Sequence, residues 1–119
     1  MSFMPLSRKL GIFGAVIFVA LLFWGGGQPE AAGLFEPPFD KVAHFAAFGG
    51  FGLMLWLAFG GRWPWLILVL AGTVGALDEW RQGFLPGRAV SLGDFAMDLL
   101  APSLVVIALM ILRAKSTKV

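Results

Sequence analysis

The chain has 119 residues, 59% of them hydrophobic and 13% charged, with a formal net charge of +2. Soluble domains are nearer half apolar and about a quarter charged, so the composition excludes an ordinary soluble domain, and the length leaves room for one membrane domain over 1–119. There is no cysteine, which rules out disulfides, thiolate nucleophiles and Cys-based metal or haem sites.

Four apolar segments follow one another, predicting an all-α membrane protein, a bundle of four transmembrane helices at about 8–26, 41–60, 63–82 and 92–112. Each is near the roughly 20 residues that a bilayer core demands. Arg8 and Lys9 before the first apolar run have the look of a secretory leader. However, the run passes into Gly25-Gly26-Gly27 with no small-x-small site close behind, so the reading is a retained first helix. Pro29, Pro37 and Pro38 mark the first loop. The second segment closes at Gly60-Gly61, and the third opens at Trp63 with Pro64 in its first turn, where proline is tolerated. Pro86-Gly87 marks the last loop. Small residues four apart (Ala43 and Ala47, Ala46 and Gly50, Ala71 and Gly75, Gly72 and Ala76) suit close helix approach without specifying a pairing.

Charge is sorted along these segments. The acids Glu30, Glu36, Asp40, Asp78, Glu79, Asp94 and Asp98 all fall at one end of the helices. Arg8, Lys9, Arg62, Arg113, Lys115 and Lys118 fall at the other, and Lys41, Arg81 and Arg88 join the acids. The positive-inside rule then puts both termini in the cytoplasm and the acidic end outside, with Trp24 and Trp80 at the outer interface and Trp63 and Trp65 at the inner one. The basic residues form no stripe, which sets nucleic acid aside as a partner.

Depth sharpens the picture. The apolar run from Trp63 to Leu77 covers about 22 Å at about 1.5 Å per residue, against a hydrocarbon core of about 30 Å. Asp78, Glu79 and Gln82 are thus expected below the outer boundary. The run from Leu99 to Leu112 covers about 21 Å and sets Asp98 at a similar level, with His44 one turn into the second helix. Ionisable groups there need a shared, protein-lined pocket. Helical spacing puts His44 with Lys41, Asp78 with Gln82, and Asp94 with Asp98 on common faces.

Structural roles are expected for some of these groups. Asp40 has the place of an N-cap, and Ser91 with Asp94 has the spacing of a capping box. Arg81 and Arg88 suit headgroup phosphates or nearby acids, and His44 alone would suit a hydrogen-bonded structural residue. Adjacent Asp78 and Glu79 resist such an explanation, because an ion pair with Arg81 neutralises one of them.

The segments Asp40-Lys41-Val42-Ala43-His44, Asp78-Glu79-Trp80-Arg81-Gln82, Pro86-Gly87-Arg88, and Ser91, Asp94 and Asp98, in this order, resemble the VanZ-like family, small four-helix membrane proteins named after an accessory teicoplanin-resistance protein. The likeness runs from about Phe39 to Leu112. It implies a cell-envelope role in the inner (cytoplasmic) membrane. The family commonly has Asn at the position of Asp98, followed by a small-glycine pattern where this chain has Ala101 and Pro102.

Two functions compete. In the first, the outer pocket binds or processes an envelope lipid or amphiphile. Asp40, Asp78, Glu79, Asp94 and Asp98 outnumber Lys41, Arg81 and Arg88, and the excess calls for protons or a cation. A divalent ion held by carboxylate oxygens and His44 is chemically reasonable. His44, Asp78, Glu79 and Asp94 are the candidate catalytic groups; Asp40, Lys41, Gln82, Arg88 and Asp98 are the candidate ligand-binding groups, with Lys41 and Arg88 facing an anionic head. In the second, the chain is a non-catalytic accessory or assembly subunit of a larger membrane protein complex. Polar groups confined to one half argue against a channel or transporter.

Overall fold

Proline and glycine punctuate the chain as its apolar periodicity anticipates. The computed structural model describes residues 4–26, 38–86 and 90–116, and these contain four helices: α1 (Leu6–Gly25), α2 (Phe39–Phe59), α3 (Pro64–Gln82) and α4 (Leu92–Ser116). Pro5 and Pro38 stand immediately before α1 and α2, and Pro64 occupies the first turn of α3. The backbone N–H of Gly60 donates to Leu57 and that of Gly61 to Trp56, at 3.1 and 3.0 Å. This is a Schellman closure of α2, and both glycines take the positive φ it requires. Trp63 also adopts a positive φ, 52°, at the entry to α3.

The predicted spans and the observed helices agree to within a few residues, with α4 continuing beyond 112 to Ser116. One local expectation is overturned. Asp40 is not the N-cap of α2, because the helix starts at Phe39 and Pro38 precedes it with no side-chain cap. Pro38 fixes the chain direction early enough that Asp40 already lies in the first turn, its carboxylate turned to Lys41 at 2.8 Å. Three helices, α1, α2 and α4, are long and apolar enough to cross a membrane, as a multi-pass membrane protein requires. α3 is not among them; its last turns carry Asp78, Glu79 and Arg81.

α2 lies between α1 and α4, and α3 packs mainly on α4. α1 runs antiparallel to α2 at very short range. A Cβ on Gly11 would stand 2.4 Å from the Ala58 nitrogen and 2.6 Å from the Met54 carbonyl, so glycine alone permits this backbone approach. With Ala15, also buried, it makes a small-residue pair at four-residue spacing that the sequence reading did not single out. Of the pairs it did, Ala71 and Gly75 are buried, while Ala46 and Gly50 face outward. Pro102 sits inside a helix that continues through it, fully buried, with Gly52 of α2 accommodating its ring. Phe48, Phe51, Leu55, Ile67, Ala71 and Val106 form the apolar core. Phe18 closes it from α1, stacked on Phe51 at 4.5 Å and edge-on to Phe48 at 5.2 Å.

The two ends of the bundle differ in charge. At one, Arg8 Nε donates to the Ala58 carbonyl at 2.9 Å and Arg113 Nη1 to the Gly61 carbonyl at 2.6 Å. Arg8 thus satisfies a carbonyl left open in the last turn of α2, and Arg113 one just beyond it, where the helix dipole is negative. The opposite end gathers the acids.

Candidate functional site

The last turn of α3 divides its two adjacent acids between two tasks. Successive helical side chains diverge by about 100°, so Asp78 and Glu79 address different neighbours. Asp78 is 1% exposed. Its Oδ1 accepts from Arg81 Nη2 and its Oδ2 from Gln82 Nε2, each at 2.8 Å. Arg81 also donates to the carbonyls of Phe23 and Leu22 at the end of α1, and its guanidinium lies 4.8 Å from the Phe23 ring centre. One arginine therefore fastens α1 to α3 and neutralises Asp78, which is the pairing with a nearby acid that its spacing allowed.

Glu79 turns toward α4. Its Oε2 accepts the backbone N–H of Ser91 at 2.9 Å. Ser91 Oγ in turn accepts the N–H of Asp94 at 3.1 Å, capping α4. This is half of the expected capping box. The reciprocal bond, which Asp94 would make to Ser91, is made by Glu79 from another helix, and the Asp94 side chain is left for other partners. It takes two of them from α2. Lys41 Nζ lies 2.8 Å from Asp94 Oδ1 and 2.8 Å from Asp40 Oδ2. His44 Nε2 lies 3.5 Å from Asp94 Oδ2.

His44 reaches deeper with its other nitrogen. Nδ1 pairs with Asp98 Oδ1 at 2.8 Å, the ring donating in its Nδ1–H tautomer. Asp98 is wholly buried. Its room comes from Gly75 on α3, where a Cβ would meet Asp98 Oδ2 at 3.1 Å and Asp98 Cβ at 3.0 Å. Gly75 and Glu79 are four residues apart on one face of α3, so Asp98 and Glu79 meet the same space. Phe48, one turn below His44 and 1% exposed, stacks parallel to the imidazole at 6.4 Å and floors the cluster.

Exposure falls steadily inward. The side chain of Lys41 is 37% accessible, those of His44 and Asp94 are 19% and 11%, and that of Asp98 is 0%. The cluster is a layered polar recess between the helices, with Lys41 outermost and Asp98 innermost. Two carboxylate oxygens at its inner end, Glu79 Oε1 and Asp98 Oδ2, are buried and accept no hydrogen bond from the described residues. His44, Glu79 and Asp98 each present one potential ligand atom, all within 4.8 Å of one another.

Of the residues proposed from sequence, Asp40, Lys41, His44, Glu79, Asp94 and Asp98 converge in this recess. Asp78 and Gln82 belong to the adjoining Arg81 network, with both Asp78 oxygens engaged. Arg88 lies outside the described residues. The sequence reading missed Arg81 as the anchor of α1, and it missed Gly75 as the residue that admits Asp98. Only the latter left a signal: its four-residue spacing from Ala71 and from Glu79.

No family model, curated protein or solved structure matches this chain.

Proposed function

We propose that this protein is a VanZ-like, four-pass protein of the inner membrane, with both termini cytoplasmic, whose outward recess binds the polar head of an envelope lipid or amphiphile. The single observation that carries this reading is the graded recess between α2, α3 and α4, where the carboxylates of the described residues outnumber the cations. Burying charge without a stabilising fold reason is expensive. Among the described residues no basic side chain is bonded to Glu79, and Lys41 is shared between Asp40 and Asp94. Such an arrangement suits a ligand better than it suits stability. Lys41, half out of the recess, is placed to meet a phosphate or carboxylate of the head, while the deeper carboxylates and His44 accept its donors. Glu79 and His44 are the groups best placed for proton transfer to a bound head. Asp78 acts through Arg81 and Gln82, holding α3 and α1 in register.

The experiment is lipid retention. The full chain, reconstituted in nanodiscs of bacterial polar lipid and transferred to mild detergent, is expected to retain a lipid in native mass spectrometry. Lys41→Met and Glu79→Gln are expected to lose it while melting within a few degrees of wild type. Equal retention by wild type and both variants overturns the reading. A stoichiometric protein partner in place of lipid, seen on purification from native membranes, favours the accessory-subunit alternative.

A further inference from the structure

We infer that His44, Glu79 and Asp98 form a binding site for one divalent first-row transition-metal ion of the Mn²⁺ or Zn²⁺ type. This inference rests on the geometry of the three side chains and stands apart from the identity of any lipid.

Each ligand comes from a different helix, His44 from α2, Glu79 from α3 and Asp98 from α4, and their ligand atoms lie within 4.8 Å of one another. Proximity of acids alone would not make a site. The second observation is that Glu79, 4% exposed, and Asp98, 0% exposed, each keep one carboxylate oxygen buried with no hydrogen-bond donor among the described residues. A buried carboxylate oxygen without a partner carries the full desolvation penalty of the group, so the pair calls for protons or a cation, and one cation can serve both oxygens at once.

A proton on His44 does not meet this need. In the tautomer that donates Nδ1–H to Asp98 Oδ1, the neutral ring points the Nε2 lone pair at Asp94 Oδ2, 3.5 Å away. A second ring proton would relieve that pair of facing acceptors. It would leave Glu79 Oε1 and Asp98 Oδ2 as they are, since both ring nitrogens are then spent on other oxygens. Lys41 is also spent, on Asp40 and Asp94, and Arg81 on Asp78 and α1. In the other tautomer the Nε2 proton faces Asp94 Oδ2, and the Nδ1 lone pair, turned to the Asp98 carboxylate, can share a single dication with one oxygen of each orphaned carboxylate; no other positive group among the described residues does so.

The donor set selects the ion. One imidazole and two carboxylates, with no thiolate in the chain, fit Mn²⁺, Fe²⁺ or Zn²⁺. Ca²⁺ asks for six to eight oxygens and Mg²⁺ for a near-octahedral oxygen shell, and a recess built around a histidine nitrogen supplies neither. Three protein ligands leave at least one position open, on the side that widens toward Lys41. The hydrogen bond from Asp94 N–H to Ser91 and from Ser91 N–H to Glu79 positions the glutamate from behind, as outer-shell partners of metal ligands commonly do.

The test uses the full chain in detergent, stripped with EDTA and dialysed. Titration with MnCl₂, followed by electron paramagnetic resonance, and with ZnCl₂, followed by calorimetry, is expected to show about one ion per chain. Histidine nitrogen coupling in the pulsed Mn²⁺ spectrum is expected for wild type and absent in His44→Gln. Glu79→Gln and Asp98→Asn are expected to weaken binding at least about tenfold, while Asp40→Asn keeps the stoichiometry. A folded wild-type chain that takes up neither ion overturns the inference without recourse to variants, as does uptake that Glu79→Gln and Asp98→Asn leave unchanged. Metal uptake without lipid retention would leave this site standing and remove the lipid reading; the reverse result would do the opposite.

Discussion

Glu79 of α3 accepts the Ser91 N–H at the head of α4, the bond that Asp94 would have made within its own helix. A helix terminus is thereby capped from outside, and the acid that local rules assign to capping is released into the recess. Glu79→Ala should uncap α4, whereas Glu79→Gln keeps an acceptor for Ser91. Loss of such a bond is worth about 1 kcal/mol. We expect Glu79→Ala to unfold at lower denaturant than Glu79→Gln by about that margin, with faster amide exchange at Asp94 and Phe95. Equal stability and equal exchange would mean that Ser91 finds its acceptor elsewhere.

Arg81 joins a fully buried acid to the end of a neighbouring helix. Arg81→Met strips Asp78 of its counter-charge and leaves the Leu22 and Phe23 carbonyls without that donor. Removing one partner of a buried pair costs about 3–5 kcal/mol. Arg81 is 22% accessible, so the lower end of that range is expected. Adding Asp78→Asn to Arg81→Met should recover part of the loss, because the uncompensated charge goes with it. A double-mutant cycle by unfolding in mixed micelles measures the coupling, and additive losses would show that the two groups act independently.

Gly11 and Gly50 are both helical glycines with opposite surroundings. At Gly11 a methyl group meets α2 backbone, while at Gly50 nothing lies within 4 Å. Gly11→Ala should therefore push α1 from α2 and destabilise by about 1–3 kcal/mol. Gly50→Ala should be neutral or stabilising by up to about 1 kcal/mol, through lower backbone entropy in the unfolded chain. Comparable melting of the two variants would contradict the α1–α2 contact.

The proposed orientation is open to direct labelling, because the chain has no native cysteine. Phe84, 72% exposed just past α3, lies at the acidic end, and Ser116 closes α4 at the other. Phe84→Cys is expected to react with a membrane-impermeant maleimide on intact cells or spheroplasts, and Ser116→Cys only after lysis. The reverse pattern would invert the assignment of outside and inside.

Much of this arrangement was legible in the sequence because it is periodic. Apolar runs bounded by proline and glycine located α1 to α4, and spacings of three and four joined Lys41 to His44, Asp78 to Gln82 and Asp94 to Asp98. These are properties of one helix at a time. The convergence of His44, Glu79 and Asp98 was an inference from depth, and the bonds that realise it run between helices. The exchange of capping partners between Asp94 and Glu79 had no local signal, since Ser91 and Asp94 satisfy the capping-box pattern whichever acid closes it. Asp40 misled for the opposite reason. It looks like a cap to a rule that weighs side chains, whereas Pro38 had already set the start of the helix.

Arg8 and Arg113, from opposite extremes of the chain, hold carbonyls only three residues apart, Ala58 in the last turn of α2 and Gly61 just beyond it. The opening turn of α1 and the closing turns of α4 thus lie at the same end of the bundle, on either side of the α2 terminus. Entropy of ring closure rises only slowly with tether length, so a short peptide joining these two regions would give a cyclic chain with every helix in its present register. In such a ring the acidic recess would remain untouched at the far end, and the two arginine clasps would be relieved of holding the first and last helices in place.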